Sequence, residues 1–383
     1  MKIIFNRKEI SDSVAPLMGA VSGKSTQASI DGILIDAQEN GSCVLTTFDG
    51  EKGMRITVDA QVEEAGTFIV NAQKFTQTLR VMEGELITLE VDDKLQACIT
   101  SGKSSHKMNA LAGETYPAIP RLVTSDGFVI GQSVLKSMLS KITYAMASND
   151  QRPVLNGCYF RVTEGNLLMV SCDSFKLAKC SVHTDIQNKN EDGSSLQFSF
   201  IIPTKTVIEL IKLLRDDERE EVRIYMTRKN IVFNIGSMIF FSRLIEGQYI
   251  DYNRIIVNTH RITAIADRET MIAALERAAL VTEEKVAGSV RSHVKLKFEE
   301  NLLKISAVST MGSTYDEVDI EHEGEDLLIA FNNRFLIDSL RASDAEKVKI
   351  SMTSALTSIN IEPVSTEEGK EEIFMLLPVR MKE

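Results

Sequence analysis

Apolar residues recur along the chain at two spacings, every three to four residues and every second residue. The first spacing is typical of the buried face of an α-helix, and the second of a half-buried β-strand. The helical spacing predicts six helices, at residues 7–20, 72–82, 132–147, 204–215, 268–281 and 332–341. Short alternating strands that end in turn residues precede several of them. The pattern therefore predicts an α+β protein.

Three segments, each a strand followed by a helix, resemble one another at a spacing of about 130 residues. Aligned without gaps, they place apolar residues in two columns four residues apart, which share one helix face. These columns are Phe75, Val207 and Leu336, and Leu79, Ile211 and Leu340. Two further columns, seven residues apart and so also on one face, are mostly basic. They are Gln73, Lys205 and Arg334, and Arg80, Lys212 and Arg341.

The repeat predicts three α+β domains, each with two helices on antiparallel strands. Their predicted bounds are 1–125, 126–258 and 259–383. The strand ends at residues 44–49 and 168–173 also correspond between repeats, which assigns Asp49 and Asp173 to turns rather than to a metal site.

The formal net charge of −11 by itself argues against nucleic-acid binding, because duplex affinity comes mainly from Lys and Arg on phosphates. The charge is nevertheless segregated, since the six predicted helices carry 13 basic residues against six acidic ones. The basic ones are Arg7, Lys8, Lys74, Arg80, Lys136, Lys141, Lys205, Lys212, Arg215, Arg268, Arg277, Arg334 and Arg341. A surface built from these helices would attract any duplex without reading its bases.

Helix packing limits how such a surface can enclose DNA. With helices roughly 9 Å apart, six side by side close a circle only about 17 Å across, too narrow for B-DNA. Twelve helices give about 34 Å by the same spacing, which admits a duplex with a layer of water. A ring around DNA would therefore need two copies of the chain joined head to tail.

Four short segments carry a family resemblance that extends over the whole chain. They are Leu155-Asn156-Gly157, Asp173-Ser174-Phe175-Lys176-Leu177, Asp251-Tyr252-Asn253-Arg254 and Leu377-Pro378-Val379-Arg380-Met381. With these segments the chain resembles the bacterial DNA polymerase β sliding clamps. The resemblance implies a homodimeric ring that encircles duplex DNA without sequence specificity. It also implies a non-catalytic processivity subunit that needs no cofactor and tethers the replicative DNA polymerase.

The resemblance further implies an apolar groove that receives short peptides from the polymerase, the clamp loader and repair proteins. Its implied residues are Leu155, Cys172, Ser174, Phe175, Lys176, Leu177, Ile250, Arg254, Ile255, Phe335, Leu356, Ser358, Met375, Leu376, Leu377, Pro378, Val379 and Arg380. Lys176 and Arg254 are expected at its border. The family commonly has Gly, then His or Tyr, then Arg where this chain has Ser174, Phe175 and Lys176, and it commonly has Pro at Ile250.

The resemblance also implies DNA contacts and a subunit interface. It adds Lys24, Asn149 and Arg152 to the helix residues expected to face DNA. Those helix residues are Lys74, Arg80, Lys136, Lys141, Lys205, Lys212, Arg215, Arg334 and Arg341. The expected interface joins the first domain to the third through Lys74, His106, Met108, Leu280 and Val281.

Enzyme chemistry finds little support in the sequence. The stretch Gly19 to Ser25 has three residues between its glycines and follows a helical pattern, whereas a phosphate-binding loop needs four residues and a preceding strand. The five cysteines form no C-x-x-C pair, and the five histidines are dispersed, so no metal site is expected. The polar N-terminus and the lack of a long apolar run predict a cytoplasmic protein.

One alternative of another class stays open at this point. Three α+β domains could form an adaptor that binds proteins but not nucleic acid. The acidic total charge favours the adaptor, and the segregated basic helices favour the clamp.

Overall fold

The computed structural model describes residues 1–23, 27–122, 126–188, 195–282, 293–310 and 312–381. The helices in these ranges are α1 Arg7–Leu17, α2 Ala72–Val81, α3 Gln132–Ile142, α4 Thr204–Leu213, α5 Tyr252–Ile255, α6 Arg268–Thr282 and α7 Asn333–Arg341. The six predicted helices are all present. The short helix α5 was not predicted, because four residues are too few to show a helical period. Lys24, expected to face DNA, lies outside the described residues.

The strands of the first half of the chain connect by turns or through helices. They are β1 Lys2–Asn6, β2 Gly32–Ala37, β3 Ser42–Phe48, β4 Lys52–Asp59, β5 Gln61–Glu64, β6 Gly66–Asn71, β7 Leu86–Val91, β8 Gln96–Ser101, β9 Ser104–Ala112, β10 Gly127–Gly131, β11 Gly157–Thr163, β12 Asn166–Cys172 and β13 Lys176–His183.

The strands of the second half follow the same plan. They are β14 Phe198–Pro203, β15 Glu221–Met226, β16 Asn230–Ile235, β17 Met238–Arg243, β18 Ile262–Asp267, β19 Val294–Glu299, β20 Leu302–Ser309, β21 Gly312–Glu323, β22 Leu327–Phe331, β23 Lys347–Met352, β24 Ile359–Pro363 and β25 Lys370–Leu376. All strand pairs among the described residues are antiparallel, in agreement with the predicted α+β class.

Asparagine side chains set the start of three helices. The Oδ1 of Asn71 accepts a hydrogen bond from the backbone N–H of Lys74 at 3.0 Å, and that of Asn332 accepts from Phe335 at 3.3 Å. Asn6 caps α1 in the same way. Each cap satisfies a backbone donor that has no partner within its helix. Because Asn71 and Asn332 are equivalent in the repeat, the sequence encodes the same start for α2 and α7.

The helix columns predicted from the repeat are confirmed. Phe75, Leu79, Val207, Leu336 and Leu340 are fully buried, and Ile211 is half-buried. Each buried side chain of this size contributes about 2 kcal/mol by leaving water. The polar columns are exposed at all six positions. The apolar and polar columns together give each of these three helices one apolar face and one face that is polar and mostly basic.

The chain divides into two compact units. The first comprises Met1–Gln132 and Lys212–Leu244 and contains one sheet of 13 strands. The strand order in this sheet is β10-β15-β16-β17-β4-β3-β2-β6-β9-β8-β7-β1-β5. Helices α1 and α2 pack against each other in this unit.

The second unit comprises Ser133–Ile211 and Ile245–Glu383 and contains one sheet of 12 strands. The strand order in this sheet is β14-β11-β12-β13-β25-β24-β23-β18-β21-β20-β19-β22. Helices α6 and α7 pack against each other here.

The middle third of the chain contributes strands to both units. Strand β17 pairs with β4 in the first sheet, with Phe240 opposite Met54. Strand β13 pairs with β25 in the second sheet, with Leu177 opposite Met375. The predicted bounds near residues 125 and 258 stay predictions. No helix in the described ranges is long and apolar enough to cross a membrane.

Candidate functional site

The turn between β12 and β13 carries the segment Asp173 to Lys176. The Oδ1 of Asp173 accepts hydrogen bonds from the backbone N–H groups of Phe175 and Lys176, both at 3.0 Å. Ser174 has a φ of +78°, in the left-handed region that costs a residue with a Cβ about 1–2 kcal/mol. The turn leaves the side chain of Phe175 58% exposed. A rigid turn therefore presents one large apolar ring.

Lys176 occupies a different place from the one expected. It is only 5% exposed, so it does not border the groove as the sequence implied. Its ammonium forms an ion pair with the carboxylate of Asp173 and lies 4.6 Å from the centre of the Phe335 ring. A carboxylate and an aromatic face both stabilise a cation, so Lys176 is satisfied below the surface. Its position makes it a support for the turn.

The first unit repeats this turn at Asp49 to Lys52. The Oδ1 of Asp49 accepts from the backbone N–H groups of Glu51 and Lys52 at 2.9 and 2.8 Å, and Lys52 Nζ lies 2.9 Å from Asp49 Oδ2. Gly50 takes the place of Ser174, with a φ of +97°. The prediction that Asp49 and Asp173 end their strands at turns is confirmed. Within the described ranges, no three His, Cys, Asp or Glu side chains are placed to hold a metal ion.

Apolar side chains form a floor beside the turn in the second unit. Leu155, Cys172, Leu177 and Met375 belong to one buried cluster, and Ile250 packs against it while partly exposed. Burial raises the pKa of the Cys172 thiol. The floor is therefore uncharged as well as apolar at neutral pH.

An aromatic pair and the C-terminal segment border this floor. The rings of Phe175 and Phe335 are 6.3 Å apart between centres, with their planes tilted by 37°. The backbone N–H of Leu377 donates to the carbonyl of Phe175 at 2.8 Å, and that of Val379 donates to Ala330 at 2.8 Å. These two bonds fix the C-terminal segment along the aromatic pair.

The expected groove residues differ in exposure. Those that are buried are Leu155, Cys172, Lys176, Leu177, Ser358, Met375 and Leu376. Those that are half-buried are Ile250, Phe335, Pro378 and Val379. Those that are exposed are Ser174, Phe175, Arg254, Ile255, Leu356, Leu377 and Arg380. All of them lie in the second unit, and they combine a buried floor with an exposed apolar border.

Arg254 is one of two exposed cations of the border, together with Arg380. Its side chain is 88% exposed and forms an ion pair of 3.0 Å with Asp251. An exposed pair of this kind contributes at most about 1 kcal/mol, so Arg254 can exchange Asp251 for another anion.

The basic side chains expected to face DNA are mostly at the surface. The exposed ones are Lys74, Arg80, Arg152, Lys205, Lys212, Arg215, Arg334 and Arg341, and Asn149 is exposed as well. Several of them have an acidic neighbour, as in Arg215 with Glu220 at 2.7 Å and Arg334 with Asp338 at 3.9 Å. Such exposed pairs are weak and leave the cations able to meet phosphates.

Lys141 differs from the other expected DNA contacts. Its side chain is 13% exposed, and its ammonium lies 2.5 Å from Glu372 and 2.7 Å from Asp344. Two carboxylates already neutralise this cation, and its pKa is raised by hydrogen bonds to them despite the opposing effect of burial. Lys141 therefore joins α3 to β25 instead of facing DNA. Lys136, on the same helix, is half-buried.

The loop at residues 149–155 is tightly constrained. Asn149 has a φ of +62°, and Asn156 Nδ2 donates to the carbonyl of Asp150 at 2.9 Å. The guanidinium of Arg152 forms two hydrogen bonds to Asp150, from Nε at 3.1 Å and from Nη2 at 3.2 Å. This guanidinium holds the pKa of the Asp150 carboxyl below its usual value.

Among the described residues, strands β9 and β21 each have a long stretch with no partner on one side, in addition to the end strands of the two sheets. Residues 104–109 of β9 pair with β8 alone, because β6 joins β9 only at residues 110–112. Residues 312–319 of β21 pair with β20 alone, because β18 joins β21 only at residues 320–323. Unpaired edges of this length are sites where another chain can add a strand.

The residues around these edges carry complementary charges. His106 and Lys107 are exposed on β9, whereas β21 carries the exposed Glu317 and the half-buried Asp316, which forms an ion pair with Arg277 at 2.7 Å. The sequence reasoning missed Lys107, Asp316 and Glu317.

The expected apolar contacts of the interface divide into two kinds. Leu280 on α6 is 85% exposed, and Val281 beside it is half-buried. Met108 is only 8% exposed, so it packs mainly within its own unit and offers little surface to a partner. Of the expected apolar residues, Leu280 has the most surface to bury.

Thiol reactivity provides a simple check on these environments. Burial raises the pKa of Cys43 to about 12 and also raises the pKa values of Cys158, Cys172 and Cys180, whereas Cys98 is half-buried. Because the thiolate is the reactive form, we expect iodoacetamide at pH 8 to label Cys98 in the native protein well before the other four. Peptide mass spectrometry would measure this. Early labelling of Cys172 would show that the groove floor is open to water.

Three family models match the chain in order. The DNA polymerase III beta subunit N-terminal domain matches residues 1–120, the central domain matches residues 129–251, and the C-terminal domain matches residues 253–377. These matches span nearly the whole chain. The chain belongs to the DNA polymerase III beta subunit family, the beta sliding clamps.

Individual relatives agree along their full lengths. The beta sliding clamp of Staphylococcus aureus strain Mu50 is 27% identical, with 99% of this chain and 99% of its own chain covered. The DNA polymerase sliding clamp of Bacillus subtilis superposes with a TM-score of 0.91 at 25% identity, and the DNA polymerase III beta subunit of Pseudomonas aeruginosa with 0.88 at 25%. Both structures are covered completely and cover this chain completely.

Proposed function

We propose that this chain is a DNA sliding clamp that confers processivity on a replicative DNA polymerase. Two copies form a ring around duplex DNA, and the groove in the second unit holds the polymerase to the ring. The chain itself performs no chemistry. The observation that carries this proposal is the ordered match of all three clamp domains along one chain. Topological enclosure then provides lasting attachment without base-specific bonds.

The unpaired strand edges support a head-to-tail dimer. We propose that residues 104–109 of one copy pair with residues 312–319 of the other. Lys107 and His106 then approach the acidic edge of β21, and Leu280 becomes covered. Each subunit offers one edge of each kind, so two copies pair both of these edges and close into a ring. Light scattering tests this closure: a dimer near twice 42.6 kDa is expected, and a strict monomer at micromolar concentration would contradict it.

The exposed helix cations support the DNA-facing surface. We propose that Lys74, Arg80, Lys205, Lys212 and Arg334 interact with phosphates through solvated, exchangeable contacts. Arg152, Arg215 and Arg341 belong to the same set, together with Asn149. Binding of this type weakens steeply with salt, because each contact releases counterions. Lys141 is excluded from the set because its two carboxylate partners already neutralise it.

The floor and border of the second unit support a peptide-binding groove. We propose that apolar side chains of the polymerase, the clamp loader and repair proteins fill the space beside Phe175, Phe335 and Leu377. Arg254 and Arg380 offer exposed cations for acidic residues that flank such peptides. Lys176 contributes indirectly, through the turn that positions Phe175.

Griselimycin provides a ligand with which to test the groove, since a Pseudomonas aeruginosa sliding clamp has been solved bound to it. We expect it to bind this chain, and we expect Phe175→Ala to weaken binding about 30-fold, as for an aromatic anchor worth about 2 kcal/mol. Isothermal titration calorimetry would measure the change. Val364→Ala removes a comparable exposed apolar side chain elsewhere in the unit and should leave the affinity unchanged. Equal affinities for all three proteins would place the ligand outside the groove.

The domain bounds and the cellular location complete the proposal. We propose three domains with bounds at 1–125, 126–258 and 259–383, supported by family matches that end and begin close to these limits. We also propose a cytoplasmic location, supported by the family's association with DNA polymerase III.

A further inference from the structure

Arg152 connects two parts of the second unit that are otherwise separate in sequence. Besides its hydrogen bonds to Asp150, its Nη2 donates to the hydroxyl oxygen of Ser174. Asp150 belongs to the loop at residues 149–155, and Ser174 belongs to the turn that carries Phe175. We call the three residues Asp150, Arg152 and Ser174 the Arg152 latch.

The latch acts on a turn with little other freedom. Ser174 is held in the left-handed region, and the carbonyl of the next residue, Phe175, accepts the backbone N–H of Leu377. The hydroxyl of Ser174 supplies an acceptor for Arg152 that a glycine at the same position would lack. A displacement of the Arg152 guanidinium is therefore transmitted to Phe175 through Ser174 alone.

The ion pair between Arg152 and Asp150, at the other end of the latch, can break at little cost in free energy. The side chain of Arg152 is 56% exposed and that of Asp150 is 20% exposed, so the ion pair is open to solvent on the arginine side. When the guanidinium dissociates from Asp150, the Oδ1 of Asp150 still accepts a hydrogen bond from the backbone N–H of Arg152 at 2.8 Å. A phosphate group is a strong competing acceptor, because it can bind the guanidinium fork with two parallel hydrogen bonds.

We propose that Arg152 is a positioning residue that couples the DNA-facing loop to the peptide groove. With no DNA present, Arg152 holds Ser174 and keeps the Phe175 ring in place against Phe335. When a duplex occupies the dimeric clamp, a phosphate binds the guanidinium of Arg152. The hydrogen bond to Ser174 is then lost, and the aromatic ring of Phe175 becomes more mobile. This coupling rests on the proposed function, since it requires a duplex beside the loop.

A tryptophan reporter makes the coupling measurable, because the chain contains no tryptophan. The variant Phe175→Trp places the only indole at the ring in question. Its fluorescence anisotropy is compared in the full-length protein with and without a short linear duplex. The same measurements are made after adding R152A, S174A or S174G to the reporter. As a matched control, R80A removes an exposed helix cation that has no link to this turn.

Two results are expected. Without DNA, R152A and S174A lower the anisotropy of the reporter, because each breaks the latch. When DNA is added, the anisotropy falls in the reporter protein that carries no second substitution. It also falls in the R80A variant of the reporter, which needs more DNA for the same change. It does not change further in the R152A, S174A or S174G variants of the reporter. S174G also relieves the strained φ and raises Tm, so the loss of response in that variant cannot come from a less stable fold.

Other outcomes overturn the coupling. If R152A merely shifts the DNA concentration required, as R80A does, then Arg152 is an ordinary phosphate contact. If DNA binds by an independent mobility assay and the reporter does not respond, the latch does not open. If no DNA binds, the proposed function fails together with the coupling, whereas the DNA-free comparison still decides whether Arg152 positions Phe175.

Discussion

Replacing Lys176 with alanine is expected to lower the free energy of unfolding by about 3 kcal/mol, as for a buried ion pair that loses one partner. The side chains of Lys176 and Asp173 are only 7% and 15% exposed, so the carboxylate cannot recover full hydration when the ammonium is removed. The Phe335 ring also loses the cation packed over it. Urea unfolding followed by circular dichroism would measure the change.

The neighbouring Lys179→Ala provides the matched control. Lys179 lies on the same strand and forms an ion pair of 2.8 Å with Glu371, whose side chain is 52% exposed. An ion pair this open to solvent contributes roughly 0.5 kcal/mol, so the control should change stability only slightly. Equal losses for the two variants would mean that Lys176 is not a structural support of the turn.

Replacing Leu280 with aspartate is expected to raise the dissociation constant of the dimer at least about 30-fold, the effect of losing a contact worth about 2 kcal/mol. Leu280 is 85% exposed in the single chain, and the proposed interface buries it. An aspartate would bring an unpaired charge into that interface, beside the acidic edge that carries Asp316. Sedimentation equilibrium over a range of concentrations would measure the shift.

Val364→Asp is the control for this change, because Val364 is also an exposed apolar residue of the second unit and follows β24, which pairs with β23 and β25 and not with β21. It should leave dimerisation unaltered. If Leu280→Asp behaves like Val364→Asp, the two copies associate through a different surface, and the pairing of β9 with β21 is wrong.

The helices and their faces were predictable because the signal is local. Phe75 and Leu79 lie four residues apart, and that spacing alone assigns them to a buried face. Comparing three repeats strengthened the prediction, since Val207 and Leu336 occupy the same column. The turn at Asp173 was predictable for the same reason, because its counterpart at Asp49 shares the position and the chemistry.

The features that were not predictable depend on partners far away in sequence. Lys176 is buried by Phe335, which is more than a hundred residues away, so its type and position suggested a surface cation. Lys141 is neutralised by Glu372 and Asp344 in the same manner. Both lysines have local surroundings that resemble those of the exposed ones, and contacts with α7, with the residues after it and with β25 distinguish them.

The division of strands between the two sheets was hidden for a related reason. A repeat shows which strands belong to one domain, but it does not show which edge strands meet. The pairing of β17 with β4 depends on side-chain packing along both strands, such as Phe240 opposite Met54. No local turn links these strands, so the usual hairpin signals do not apply.

Retention on a capped duplex tests most directly whether the protein encloses DNA topologically. A linear duplex is attached to a bead at one end, the protein threads on from the free end, and that end is then capped with a bulky protein. After a high-salt wash, which removes contacts to phosphates, we expect the clamp to remain on capped DNA and to leave uncapped DNA. Equal loss from both would contradict enclosure and favour an adaptor that does not encircle DNA.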